Sequence, residues 1–294
     1  MVIASRRAAP TVGDMTNTTT DMVRPGTLDA YRFHLASLHK VAVDYGIDPD
    51  IAAAAADALR SQDIVLLGLN AKLAGGKDTV APPVMGRLGI IDAEHVFFAK
   101  PIKAEFDEII TIIASSNDPA VATTMLVTTM NIPRHQAKRF VVAFFDVTRD
   151  PNHGRTGYTR FPEVRTALQY LGTEVRRGQD ENYWVKRALI PAFAAMAEDR
   201  SVYFTDVRFP NEVLAAQRVG SCVVRLEVTR ETQYARLRSR DGIEPDLDAL
   251  HHASEVVLDD FTGFNAVIDN NGSLLNTVGA VATVLADHRN QVAS

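Results

Sequence analysis

Short unbroken apolar runs punctuate the chain from residue 64 onward, and longer amphipathic stretches fill the intervals. The runs are Ile64-Val65-Leu66-Leu67, Val96-Phe97-Phe98-Ala99, Val202-Tyr203-Phe204-Thr205, Val223-Val224-Arg225-Leu226 and Ala266-Val267-Ile268. Each has the continuity expected of a strand buried on both faces. Helical spacing predicts helices over 102–116, 119–130, 134–146, 162–176, 181–198, 210–219, 230–240 and 273–288. Strands alternating with helices predict an α/β architecture with a parallel, doubly wound sheet. The segment 148–160, rich in Asn, His, Gly, Arg and Thr, reads as a loop.

Two further helices precede the first strand. Leu28, Tyr31, Leu35, Leu38, Ala42 and Tyr45 recur at three- and four-residue steps and predict a helix over 27–46, which Gly46 ends. Asp48-Pro49 opens an alanine-rich second helix running from Ile51 to Leu59. Their place ahead of the sheet predicts an added helical hairpin, with a packing or oligomerisation role. Residues 1–25 are polar and read as a mobile tail. Arg6 and Arg7 are followed by no apolar stretch, so no export signal is expected, and Asn17-Thr18-Thr19 is a chance-level sequon.

Composition narrows the class. The chain has 294 residues, 46% of them hydrophobic and 23% charged, which excludes wholesale disorder and allows one large domain or one domain plus an appendage. A net charge of −5 lacks the global footprint of a duplex-DNA binder but permits a local basic pocket for a phosphorylated small molecule. With Cys222 as the only cysteine, neither an intrachain disulfide nor a thiolate metal cluster can form. No apolar run is long enough to span a bilayer. A cytoplasmic location without a membrane partner is expected.

The sharpest candidate chemistry follows the first strand, at Gly75-Gly76-Lys77-Asp78-Thr79. A glycine-rich turn between a buried strand and a helix points backbone N–H groups at an anion, and the helix N-terminus reinforces them. Lys77 can reach outer phosphates as a point charge, and Asp78 or Thr79 can offer oxygen to Mg²⁺. Two details depart from the usual pattern: Ala71 stands where a glycine six residues before the lysine is usual, and Asp78 separates Lys77 from Thr79. Pro82-Pro83 threatens the helix that should follow.

Other constellations fall at expected ligand-binding ends. Thr205-Asp206-Val207-Arg208 ends a strand, where a carboxylate can hold Mg²⁺ through water and an arginine can fork onto phosphate. Taken alone, the pair reads equally well as a surface ion pair. Lys100 and Lys103 open a helix, a poor place for a cation on stability grounds and a good one for meeting an anion. Trp184, the only tryptophan, either stacks on a base or fills core. Arg236, Arg238 and Arg240 form either a solvated face or a group closing over a transferring phosphoryl. His251 and His252 lack a second set of metal-type ligands.

The ordered set resembles the bacteriophage-type deoxynucleoside monophosphate kinase family, within the P-loop nucleoside monophosphate kinase fold. The order runs from Gly75-Gly76-Lys77-Asp78-Thr79 through Ala99-Lys100-Pro101-Ile102-Lys103 and Leu168-Gln169-Tyr170-Leu171-Gly172-Thr173-Glu174. It continues with Tyr183-Trp184-Val185-Lys186, Thr205-Asp206-Val207-Arg208-Phe209-Pro210-Asn211-Glu212 and His252-Ala253-Ser254-Glu255. The resemblance covers about 63–288. It implies a three-layer P-loop NTPase-like fold with a parallel five-stranded sheet, plus the N-terminal helical extension over 26–60. It further implies a kinase domain over 61–294, with an acceptor-binding helical insertion near 102–198 and a lid near 230–255.

The activity implied is transfer of the ATP γ-phosphoryl group to a deoxynucleoside monophosphate, with Mg²⁺. Gly75, Gly76, Lys77, Asp78 and Thr79 would bind ATP. Ile102, Lys103, Arg165, Gly172, Thr173, Trp184, Asp206 and Arg208 would meet the acceptor. Lys77, Arg236 and Arg240 would serve the transfer, and Thr79 and Asp206 would attend Mg²⁺. His252, Ser254 and Glu255 match a motif that is structural or near the acceptor. No stable nucleic-acid partner is implied. Proteins of this class often pair, which leaves a homodimer open. Two alternatives stand beside this expectation: a P-loop kinase acting on a modified pyrimidine in DNA, and a nucleotide-binding module without catalysis.

Overall fold

The computed structural model describes residues 38–61, 64–149, 162–241 and 256–293. The expected tail, most of the first helix, the 150–161 loop and the 242–255 part of the expected lid lie outside these residues, as do His251, His252, Ser254 and Glu255.

Five strands form one all-parallel sheet: β1 (Leu66–Ala71), β2 (Ala93–Val96), β3 (Ser201–Phe204), β4 (Cys222–Glu227) and β5 (Ala266–Asp269), ordered β2-β3-β1-β4-β5. β1 sits at the centre, with Leu66 opposite Val202 on one side and Leu67 opposite Cys222 on the other. Its residues are buried on both faces, as the unbroken apolar run requires. β1 begins two residues later than the apolar run and β2 lies just ahead of its run, because Val65 and Phe98 are core residues flanking the strands.

Side-chain alternation splits the core in two. On one face Leu66, Val202, Phe204 and Val223 pack against α2 (Pro49–Ser61), α8 (Tyr183–Ala197) and α9 (Pro210–Arg218). On the other, Leu67, Leu69, Cys222 and Val224 pack against α3 (Lys77–Arg87) and α11 (Leu274–Ala293). The result is helix, sheet, helix. A third core joins α4 (Lys100–Ser115), α5 (Pro119–Met130), α6 (Arg134–Phe144), α7 (Pro162–Tyr170) and a π-helical turn (Leu171–Arg177). α10 (Arg230–Asp241) follows β4.

Three expectations change. The helices before β1 are not an appendage: Leu38, Val41 and Ala42 of α1 (38–45) and Ala52, Ala55 and Ala58 of α2 share one core with the strands and α8. Asp48 caps α2 through the Asp50 N–H at 2.9 Å, as its place before Pro49 suggests. Pro82 and Pro83 do not break α3. Both lie on its exposed side, so the carbonyls of Asp78 and Thr79, which lose their i+4 donors, face water. The expected helix 162–176 changes at Leu171 from α to the wider π form. No helix among the described residues is long and apolar enough to cross a membrane.

Candidate functional site

β1 and β3 are neighbours, yet α3 leaves β1 for one face and α9 leaves β3 for the other. Such a reversal opens a crevice beyond the carboxyl ends of the two strands, where ligands of open α/β sheets bind. The glycine turn after β1 and the Asp206–Arg208 segment after β3 meet there, joined by Asn70, whose Nδ2 donates to Val207 O at 2.7 Å.

The turn is tightly determined. Gly76 is the N-cap of α3 with φ +87°, a conformation that L side chains rarely adopt. A Cβ on Gly76 would lie 2.7 Å from Asn270 Nδ2, and one on Gly75 would lie 2.6 Å from the Ala71 Cβ. Ala71 is simply the last residue of β1 and needs no positive φ; the strained position falls instead on Ala74, at φ +58°. Two buried amides pull carbonyls of the turn outward: Gln233 Nε2 donates to Leu73 O and Asn270 Nδ2 to Gly75 O, both at 2.8 Å. Thr277 Oγ1 donates to Asn270 Oδ1 at 2.7 Å and fixes that amide. The Thr79 and Val80 N–H groups both donate to Gly76 O at 3.0 Å, and the N–H groups ahead of them, at the very start of α3, have no i−4 carbonyl within the helix to reach.

Charged groups gather around this turn. Lys77 donates to Asp78 at 2.8 Å. Burial works to raise the Asp78 carboxyl, but bonds from Lys77 and Thr205 and the Lys77 charge outweigh it and hold the group below its ordinary value. His95 shares a 2.8 Å hydrogen bond with Thr205 and stacks on Tyr203 at 4.3 Å. Burial pushes its imidazole below its ordinary value, against the pull of Asp78 and Glu94. Arg236 on α10 donates from Nη2 to Asn270 O at 2.7 Å. Among the described residues its Nη1 has no hydrogen-bond partner; it is buried, 3.4 Å from where a Gly76 Cβ would sit. Arg240 lies one turn further along the same helix, on an exposed face.

Asp206 is a buried residue rather than half of a surface ion pair. Its two oxygens accept the N–H groups of Phe98 at 2.9 Å and Ala99 at 2.8 Å, which latches the start of α4 to the end of β3. Burial holds its carboxyl above the ordinary range, and the two backbone donors, Arg208 and Lys77 offset this only in part. Lys103 is exposed on the first turn of α4 and Arg208 is half-buried at the strand end. Thr79 and Thr173 are exposed. Arg165 lies on α7, with its side chain outside the described set.

Of the two readings of Trp184, stacking on a base or filling core, burial favours the second, and Ile102 and Gly172 pack beside its indole. Trp184 is fully buried, and its indole N–H donates to Gly172 O at 2.9 Å. Ile102 Cδ1 lies 3.3 Å from where a Gly172 Cβ would begin. The three form one packed contact that joins α4, the π-helical turn and α8. With neither ring face open, the indole fills core.

Three side chains at the site carry no sequence signal, and a fourth, Glu212, is visible only as the last residue of the Thr205–Glu212 motif. Asn70, Asn270 and Gln233 are single buried amides, recognisable only once the strand ends converge. Glu212 is 2% exposed, and its Oε2 accepts the N–H groups of Arg208 at 2.7 Å and Phe209 at 3.1 Å. Its other oxygen pairs with Arg177. Burial pushes the Glu212 carboxyl up to about 7, with Arg177 and the Arg208 N–H pulling the other way. No family model matches the chain, and no curated protein matches it.

Proposed function

We propose that the chain is an ATP-dependent kinase of deoxynucleoside monophosphates, with the glycine turn as its phosphate loop. The observation that carries this is the Arg236 Nη1, buried beside Gly76 and unpartnered among the described residues. An unsatisfied buried guanidinium nitrogen is costly, and a phosphate oxygen in the turn would satisfy it. Lys77 stands at the same turn, on a helix N-terminus that favours anions.

A monophosphate acceptor is already an anion at neutral pH, so transfer calls for positioning and charge neutralisation more than for a strong base. Lys77 exchanges its bond with Asp78 for the outer phosphates. Arg236 meets the same phosphates from α10. Lys103 and Arg208 approach the acceptor phosphate from α4 and the end of β3, and the resemblance adds Arg165 and Arg240. Mg²⁺ supplies charge neutralisation in such reactions. The Asp78 carboxylate, the Thr79 hydroxyl and the Asp206 carboxylate are hard oxygen donors that suit it. Among the described residues no group of three His, Cys, Asp or Glu forms a closed cage. A site sharing a few carboxylates with substrate phosphates and waters is the usual arrangement for this ion. Asp206 already accepts one N–H on each oxygen, which suits contact through a water.

Calorimetric titration with ATP tests the carrying observation. Arg236→Met should weaken ATP binding by about tenfold or more, the scale of a lost charge-assisted bond. The variant removes the unsatisfied Nη1 but also the Nη2 bond to Asn270 O, so a modest fall in thermal midpoint is expected and affinity is compared on folded protein. Wild-type affinity in this variant would leave the proposal without its main support.

A further inference from the structure

We propose that Glu212 is a positioning residue for the acceptor side of the crevice, acting with Arg177 through the backbone of Arg208 and Phe209. This rests on the phosphotransfer reading above and adds to it a residue that touches no substrate.

Glu212 occupies the third position of α9 and reaches back over the helix start, where the N-cap residue, Phe209, offers no polar side chain. A glutamate at this position commonly does so from the surface. Here the whole carboxylate is withdrawn from water, and its counter-ion comes from a different layer. Arg177, the last residue of the π-helical turn, pairs with it and stacks its guanidinium 3.9 Å above the Phe209 ring. Burying an ion pair costs more than a helix cap returns, so capping alone does not account for the arrangement.

What the pair accomplishes is a joint. Arg177 Nη1 also donates to Glu181 O at 3.4 Å, and Asn211 Nδ2 donates to the same carbonyl at 3.0 Å, so the start of α8 is strapped to the start of α9. Three residues before Phe209, Asp206 latches Phe98 and Ala99. Two buried carboxylates on one short segment thus pin three stretches of chain together. The first, 98–103, carries Lys103; the second, 171–177, carries Thr173; the third, 205–209, carries Asp206 and Arg208. Those stretches hold Lys103, Thr173 and Arg208, the exposed and half-buried groups expected to meet the acceptor. The phosphate turn touches the third stretch through Asn70 but is anchored chiefly from elsewhere, by Gln233 and Asn270. Glu212 therefore bears on the acceptor more than on ATP.

The test is calorimetric titration of the full chain with each of the four common deoxynucleoside monophosphates and, separately, with ATP. Glu212→Gln keeps an acceptor for the two N–H groups but turns a donor against Arg177. It should raise the monophosphate Kd about tenfold while ATP affinity stays within about twofold. Arg177→Met alone should weaken the monophosphates to a similar extent, and R177M/E212Q should weaken them no further than either single variant, the non-additivity that a shared joint gives and that two independent structural losses would not. Unchanged monophosphate binding in E212Q, equal weakening of both ligands, or a double variant in which the two losses multiply overturns the positioning role and leaves the phosphotransfer reading standing. Wild-type protein that binds no monophosphate overturns both.

Discussion

Ala74 is the strained residue of the glycine turn, at φ +58° where an L side chain crowds its own carbonyl. Relief of that strain is worth about 1–2 kcal/mol, against about 0.4–1 kcal/mol lost to a more flexible unfolded chain. Ala74→Gly should therefore stabilise the protein by about 0.5–1 kcal/mol, read as a rise in the denaturation midpoint. At this scale the sequence exposes only part of the site. Gly75, Gly76, Lys77, Asp206 and Arg208 stand out because their chemistry is unusual at strand ends. Trp184 misleads because an indole looks the same in a core as in a pocket until its N–H partner, Gly172 O, is known. Asn270 and Gln233 are silent because a buried amide is defined by what lies 195 and 160 residues away along the chain.

Elements were more legible than residues, and the exceptions have local causes. Apolar runs mark the inner strands β1, β3 and β4 because a central parallel strand is buried on both faces, whereas the edge strand β2 overlaps its run only at Val96 and the edge strand β5 exposes Val267. α3 defied its prolines because they face solvent. Even so, a proline inside a helix costs about 3 kcal/mol relative to alanine, partly offset by about 1 kcal/mol of unfolded-state entropy. Pro83→Ala should accordingly raise stability by about 1–2 kcal/mol, or a few degrees in thermal midpoint. α9 carries a pH signature through Glu212, whose folded carboxyl titrates at about 7 against an ordinary 4.5. The folded state keeps this proton after the unfolded state has released it, so Glu212 contributes less to stability as pH rises from about 4.5 to 7 and levels off above. The difference in stability between wild type and Glu212→Gln, measured by denaturant titration at several pH values, should decline over that window. A difference independent of pH would contradict the assigned burial.

For the molecule as a whole, α1 and α2 belong to the face that α8 and α9 share. A chain beginning at residue 62 would uncover the side of α8 that packs on α2, part of one buried core. Such a chain should lack a cooperative unfolding transition; a truncated protein that melts cooperatively near the wild-type temperature would show the hairpin to be dispensable. The sequence hid this because amphipathic helices reveal that they pack, not where. The net charge of −5 likewise describes the whole chain, while Lys77, Arg236, Lys103 and Arg208 lie on the elements that surround one crevice. That local exception to an acidic surface underlies the proposed chemistry. Coupled measurement of ADP release from ATP and Mg²⁺, across the deoxy- and ribonucleoside monophosphates, tests it most directly. The proposal predicts release with at least one deoxynucleoside monophosphate, and a fall of about 10²-fold or more in folded Lys77→Ala. Release with no monophosphate by protein that binds ATP, or near-normal turnover in Lys77→Ala, would contradict it.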